Sequence, residues 1–301
     1  MCRLHRARRV GLGDLRSLRL VRYADSMRVV SLDPCATELV IAVGGASLLV
    51  GKSSQCAEGA GIPVVSADCL DEPLLVSLEP DVIVTTRASD AHALARVVTR
   101  LPRTTTVLQL APATILDLLD DLLRVGETIG RAAEAQHAMV DLRARYWSAI
   151  DFVSPFVHAP EVLFLTSIDP LVVGGLWTPA LIEAAGARHS LNPAGAPARR
   201  VTPEEVIECA PERIVLCLSS PTSSPLRALE TLQQTRWWGL LPAVLDGKPG
   251  SIALVDGSQM FTEPSPRLVD AFEWLVGWIN GREEVVPSQF PVVYPDRLST
   301  H

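Results

Sequence analysis

The sequence predicts an α/β fold of two similar lobes with mainly parallel sheets, joined by one long α-helix, with a ligand cleft between the lobes. Three observations carry this expectation. Short β-branched runs alternate with helical patterns from residue 28 onward, the syntax of a parallel sheet. No proline occurs between Pro112 and Pro155, and apolar residues there recur near helical period. The second half then repeats the order of the first.

In the first half, RVVSL (28–32) reads as a strand. Asp33 can cap the following helix, Pro34 suits its first position, and Gly44 stops it. Strands follow at LLVG (48–51), PVVS (63–66), VIVTT (82–86) and TVLQL (106–110), with a helix around 90–100. Thr114 and Asp117 form a capping box for the long segment, whose apolar set is 115, 118, 119, 122, 129, 133, 140, 147 and 150. Read as one helix of about 34 residues, it spans about 50 Å; a break at Gly126 or Gly130 is the alternative.

EVLFL-TSIDP (161–170) echoes RVVSLDP (28–34), and VTPEEVIECAPERIVL (201–216) echoes EPLLVSLEPDVIV (72–84). Both echoes fall about 130 residues apart, as two copies of one lobe would. Thr178-Pro179 and Ser265-Pro266 read as further helix starts, with Gly186 and Gly281 as stops. The expected organisation is an N-terminal extension over 1–26, a first lobe over 27–112, the bridging helix over 113–153, a second lobe over 154–282 and a tail over 283–301.

Composition narrows the function classes. A net charge of −7 and only 5% aromatic residues give no support to a nucleic-acid surface. The six cysteines are irregularly spaced without C-x-x-C, against a structural zinc site or a disulfide framework. No run approaches the ~18 apolar residues of a membrane helix. The first 26 residues hold seven arginines and no apolar run long enough for a secretory signal, so they read as disordered or as a mis-assigned extension ahead of Met27. A cytoplasmic location is therefore expected, and a periplasmic one only if the N-terminus is mis-assigned.

Enzyme signatures fail in turn. GASLLVGKS (45–53) has the wrong glycine spacing for a phosphate loop and reads as a strand ending in a loop. There is no G-x-G-x-x-G after a strand and no G-x-S-x-G. Of the histidines, His92, His158 and His189 would meet at a metal only by accident of the fold, and no metal is expected. What remains on the strand-end loops is a recognition surface: Ser54 and Cys56 after strand 48–51, Arg87 and Asp90 after 82–86, Trp177 in GGLW, Ser219 after 214–218, and Met260 and Phe261 in DGSQMF. Glycine and polar flanks favour exposure of Trp177 and Phe261, with core packing as the alternative. A large, flat, partly apolar ligand suits this set. Arg87 would meet an anionic or amide-rich edge, or pair with Asp90.

These loops resemble the cobalamin-binding branch of the ABC-transporter substrate-binding proteins, in its soluble, signal-less form. The resemblance rests on RVVSLDPCATELVIAVGG, SLEPDVIVTT, DPLVVGGLWTPALIEAAGA and WWGLLPAVLDGKPGSIALVDGSQMFTEPSPRLVDAFEWL, and covers about residues 28–282. It implies a corrinoid (cobalamin) as bound ligand rather than catalytic cofactor, gripped by a monomer with little closing motion. It also implies docking to an ABC permease through a glutamate on each lobe. Glu204 matches the second of these; the first place is Pro73, with Glu72 one residue earlier. Non-catalytic corrinoid binding, for uptake or as an intracellular carrier, is the leading expectation. Haem or an iron chelate is the alternative ligand, and an enzyme acting on a cobalamin precursor, using Asp33 and Asp90, the alternative class.

Overall fold

A computed structural model describes residues 27–54, 56, 59, 61–66, 70–86, 91–101, 104–155, 158–218, 224–257 and 260–295. The expected contacts Arg87, Asp90 and Ser219, and the extension over 1–26, lie outside these residues. The chain forms two compact units: one holds the residues up to Leu110 with Leu122–Gln136, the other Ala111–Asp121 with His137 onward.

In the first unit, β1 (Val29–Ser31), β2 (Leu49–Ser53), β3 (Val64–Ser66), β4 (Val82–Thr85) and β5 (Thr106–Gln109) form, among the described residues, a parallel sheet of order β3-β2-β1-β4-β5. β1 and β4 are buried throughout, because a central parallel strand is covered on both faces. Val30, Leu32, Val65, Leu75, Ile83, Leu94 and Val97 form a core cluster, drawing on α2 (Glu72–Ser77) and α3 (Ala91–Val98). GASLLVGKS supplies β2, as the glycine spacing implied. α1 (Pro34–Ala42) starts as the sequence predicts: Asp33 has extended backbone angles and its side chain accepts from the Ala36 N–H at 2.8 Å.

The long segment is two helices rather than one, α4 (Ile115–Thr128) and α5 (Ala132–Ile150). The capping box at its start is present, with the Asp117 N–H donating to Thr114 Oγ1 and the Thr114 N–H to Asp117 Oδ2. The break follows from Gly130, which takes φ +73°, so that the Arg131 N–H reaches back to Gly126 O at 2.7 Å and the Gly130 N–H to Glu127 O. This is a glycine-terminated helix end. It also resets the phase of the apolar pattern. Ile115, Leu118, Leu119, Leu122 and Ile129 are buried as expected, but beyond the turn Ala135, Leu142 and Ala149 are buried while Val140 and Trp147 are exposed. Gly126 has its own reason: a Cβ there would stand 2.2 Å from Ala135 Cβ.

In the second unit, β6 (Val162–Ile168), β7 (Leu171–Val173), β8 (Arg199–Arg200), β9 (Arg213–Leu218), β10 (Ile252–Asp256) and β11 (Val292–Val293) form, among the described residues, a sheet of order β11-β10-β9-β6-β7-β8. β6, β9 and β10 pair in parallel, β7 and β11 run against them, and β8 pairs antiparallel with β7, so this sheet is mixed where the first is parallel. The echo of RVVSLDP explains the difference. Asp33-Pro34 opens a helix, whereas Asp169-Pro170 turns β6 directly into β7 in a hairpin, because the apolar run LVV follows at once. The other echo holds: α7 (Pro203–Cys209) leads into β9 as α2 leads into β4.

Two further expectations shift and one holds. α6 (Trp177–Ala184) begins at Trp177, so Thr178 lies buried inside the helix instead of capping it. Ser265 does act at the start of α10 (Arg267–Asn280), its Oγ accepting from the Arg267 N–H, and Gly281 ends that helix. The expected tail is packed: β11 pairs with β10, and Phe290 stacks on Trp274 at 4.9 Å. α8 (Pro225–Gln233) and α9 (Pro242–Leu245) complete the elements used below.

Crowding at Gly126 predicts that Gly126→Val costs about 1–3 kcal/mol, the usual penalty for overpacking a tight contact. Gly239→Ala, where an added Cβ meets nothing within 4 Å, serves as the comparison. Equal urea midpoints for the two variants would remove the close approach.

Candidate functional site

In an open α/β sheet the crevice for a ligand lies beyond the strand carboxyl ends, where strand order reverses. In the first unit that point lies between β1 and β4, and Asp33 occupies it. Its carboxylate is fully buried and, among the described residues, accepts four hydrogen bonds. Oδ1 takes the Ala36 N–H at 2.8 Å and the Thr86 hydroxyl at 2.9 Å. Oδ2 takes the Thr86 N–H at 2.6 Å and the Thr85 hydroxyl at 3.1 Å. One carboxylate thus caps α1 and ties the exit of β4 to the exit of β1. Bonds to a charged acceptor are the strong ones, and a buried charge needs them.

Beside this clamp, the Thr37 hydroxyl lies 3.1 Å from Asp33 O, 2.6 Å from Ser31 Oγ and 2.8 Å from Cys56 Sγ. A hydroxyl has one proton and two lone pairs. Thr37 donates to Asp33 O, which leaves Ser31 and the Cys56 thiol to donate to Thr37. In that arrangement the thiol is the donor, and burial, the largest influence on it, pushes its pKa up. Lys52 is itself buried, and its Nζ donates to Cys56 O at 2.9 Å, closing the loop after β2. Ser54 stands exposed on that loop.

The second unit builds its strand-end loops with rings. The Trp177 Nε1–H donates to Phe261 O at 2.7 Å, and the Phe261 ring meets Phe164 edge-on at 4.9 Å. Met260 O accepts from the Cys217 thiol at 3.6 Å, and the Met260 N–H donates to Asp256 O at 3.1 Å. Burial pushes the Cys217 thiol up as well. Phe261 sits at φ +63°, a conformation that side chains adopt only when surrounding contacts hold them there. The loop before α6 is pinned likewise: the Asn192 amide donates to Gly174 O and Pro197 O, both at 3.0 Å, and a Cβ on Gly175 would stand 2.3 Å from Ala198 N.

These placements correct the expectation of exposed aromatic walls. Trp177 and Phe261 are 5% and 3% exposed, and Met260 and Cys56 are also buried. Their polar flanks bond to backbone and do not open the rings to solvent. The sequence marked Asp33 as a cap but not Thr37, Thr85 and Thr86 as its partners, nor Ser31 and Lys52 as the groups that bond Thr37 and the Cys56 carbonyl beside it. The available signal was the polar ending of otherwise apolar strands, VVS and VIVTT. Of the expected docking residues, Glu204 is exposed in the first turn of α7, while Glu72 is engaged by Arg100 at 3.0 Å and Arg96 at 3.7 Å. Among the described residues, no group of three or more His, Cys, Asp or Glu side chains could hold a metal ion, and no helix is long and apolar enough to cross a membrane.

No protein-family model and no curated protein matches the sequence. Solved structures do match the fold. An ABC transporter substrate-binding protein from Listeria monocytogenes EGD-e is similar with a TM-score of 0.71 at 16% identity, over 84% of this chain and 98% of that one. A periplasmic heme binding protein from Pseudomonas aeruginosa gives 0.68 at 23%, over 89% and 96%. The periplasmic vitamin B12 binding protein BtuF of Vibrio cholerae gives 0.67 at 20%, over 86% and 99%. The chain has the α/β fold of these solute-binding proteins. The comparison also corrects the cytoplasmic location expected from the first 26 residues, since the heme- and B12-binding structures it resembles are periplasmic proteins.

Removing the clamp predicts a measurable loss. Asp33→Ala leaves buried donors of Thr85 and Thr86 without their acceptor and is expected to cost about 3 kcal/mol in guanidinium unfolding, with Asp33→Asn intermediate. A change under about 0.5 kcal/mol, the range of ordinary surface substitutions, would show that the carboxylate is not holding β1 to β4. Trp177→Phe, which keeps a ring but loses the indole donor, is expected to cost about 1 kcal/mol in the same assay.

Proposed function

We propose that this chain is a non-catalytic solute-binding protein of an ABC-type uptake system, acting on the periplasmic or extracellular side of the membrane, and that its solute is a corrinoid (cobalamin). The observation that carries the non-catalytic reading is the state of Asp33. A general acid or base must reach its substrate with a free oxygen, and both Asp33 oxygens are consumed in holding strands and a helix together. The reading of an enzyme on a cobalamin precursor loses that member of its pair. The protonated, hydrogen-bonded Cys56 is likewise no nucleophile.

The solute class is supported by the fold and by what its structural relatives are named for, haem and vitamin B12. Both are large metal-centred macrocycles, so haem stands beside the corrinoid as the second reading, with an iron chelate after it. Ser54, Arg87, Asp90 and Ser219 are the proposed solute contacts, on the loops after β2, β4 and β9. Cys56, Trp177, Met260 and Phe261 are buried and stiffen their own loops. Glu204 is the proposed permease contact; Glu72 would first have to release Arg100.

Titrating the purified protein with aquocobalamin and, separately, haemin tests the proposal through the visible spectrum. A saturable corrinoid change at one equivalent is expected, weakened about tenfold in Arg87→Ala if that guanidinium meets an amide or carboxylate edge. A response to haemin alone replaces the corrinoid by haem. Silence with both ligands rejects a macrocyclic solute.

A further inference from the structure

At the opposite edge of the second unit's sheet, where its parallel strands begin, lies a cavity of about 590 Å³. Pro160 precedes β6, Arg213 opens β9 and Ser251 precedes β10, and all three line it. The chain after β10 leaves from the other end of that strand, and Trp177, Met260 and Phe261 are not among the residues that line this cavity. Its charged lining is mostly cationic: Arg213, Lys248 and Arg282, with His158 and one carboxylate, Glu212.

The cations differ in how they are used. Lys248 and Arg282 are exposed and pair loosely with Asp246 at 3.5 Å and Glu284 at 3.9 Å. Glu212 is engaged by His158 Nε2 at 2.7 Å. Burial pushes the Glu212 carboxyl up, but the bonds from His158 and the Glu161 N–H, with the charges of His158 and Lys248, outweigh it and hold it below its ordinary value. Arg213 is the exception. Its guanidinium lies 5.0 Å from the centre of the Trp278 ring, and among the described residues no carboxylate comes within ion-pair distance. Burial draws its pKa below the ordinary range.

That position is built. Phe290 stacks on Trp274 at 4.9 Å and 7°, and Trp274 stacks on Trp278 at 5.3 Å and 12°. The indole N–H groups are anchored, Trp278 to Gly250 O at 2.7 Å and Trp274 to the Tyr294 hydroxyl at 3.1 Å. The column of three rings therefore fixes the Trp278 ring over which the Arg213 guanidinium carbon lies. A planar guanidinium stacked this way keeps its five N–H donors in plane, free to form a fork with a carboxylate or phosphate. Among the described residues this half-buried guanidinium has no direct carboxylate partner, and Glu212 and Tyr294 offset its charge only at longer range, so a bound anion would supply the direct contact.

We infer that this cavity is a binding site for a small multivalent oxyanion of the carboxylate or phosphate class, with Arg213 as its fork and Lys248 and Arg282 as outer charges. The volume exceeds that of a single inorganic ion and falls in the range of small-molecule sites. An aromatic-backed arginine with two further cations selects against neutral ligands. The inference is independent of the solute proposed above, because none of the described residues assigned to that solute's contacts or their supports lines this cavity.

The full chain is titrated by calorimetry with citrate and with inorganic phosphate, at constant ionic strength set by sodium chloride. Saturable binding of at least one of them is expected, falling at least tenfold in Arg213→Met and several-fold in the double variant Lys248→Ser, Arg282→Ser. Preference for citrate assigns the carboxylate class, and preference for phosphate the phosphate class. Should Arg213→Met fail to fold, the double variant decides alone, since both side chains are exposed. No binding of either anion above chloride, or undiminished binding in the variants, overturns the inference. Aquocobalamin or haemin titrations should be unchanged in the double variant, which keeps failure here distinct from failure of the proposed solute.

Discussion

A carboxylate taken out of water has to recover its lost solvation from fixed donors, and Asp33 recovers it from two hydroxyls and two backbone N–H groups on two chain segments, the start of α1 and the exit of β4. That requirement organises the first unit. The start of α1, the exit of β1 and the exit of β4 cannot move independently without stranding a charge or a donor. The same residues lie at the point where strand order reverses, the position from which an α/β sheet presents its loops. Rigidity at that point suits recognition of a solute, since a pre-formed rim spends less binding energy on ordering itself.

Around the clamp, hydrogen-bond directions follow from simple counting. Thr37 has one proton to give and two lone pairs to fill, so the Cys56 thiol is a donor and stays protonated. Lys52 closes the adjacent loop through a backbone carbonyl. A lysine and a cysteine that could be taken for reactive groups are thus parts of a scaffold. The second unit reaches a similar rigidity by other means. Trp177, Phe261 and Phe164 lock its strand-end loops, and the column of Phe290, Trp274 and Trp278 fills the space beside its helix α10. Rings bury large areas and keep one polar atom for a backbone partner.

Much of the fold was legible because local chemistry and tertiary structure agreed. Asp33, Thr114 and Ser265 act at the helix starts where their spacing placed them, and VVS, LVGKS and VIVT form strands. The disagreements have local causes too. Gly130 ends α4 because it can take a left-handed conformation, and the apolar period after it restarts on a new phase. Asp169-Pro170 repeats the letters of Asp33-Pro34 but precedes an apolar triplet, so a hairpin forms there and not a helix.

The amino-acid order by itself determined the alternation of strands and helices, the places where helices begin, and the duplication of helix–strand units, because capping and periodicity act over a few residues. Whether an aromatic residue faces solvent, whether a carboxylate is free, and which cations gather in one cavity depend on partners tens of residues away. Trp177 meets Phe261 across 84 positions and Asp33 meets Thr86 across 53. Only the folded chain brings those groups together, and so only the tertiary structure turned Asp33 from a possible acid into a strut and gathered Arg213 with Lys248 and Arg282 around one cavity.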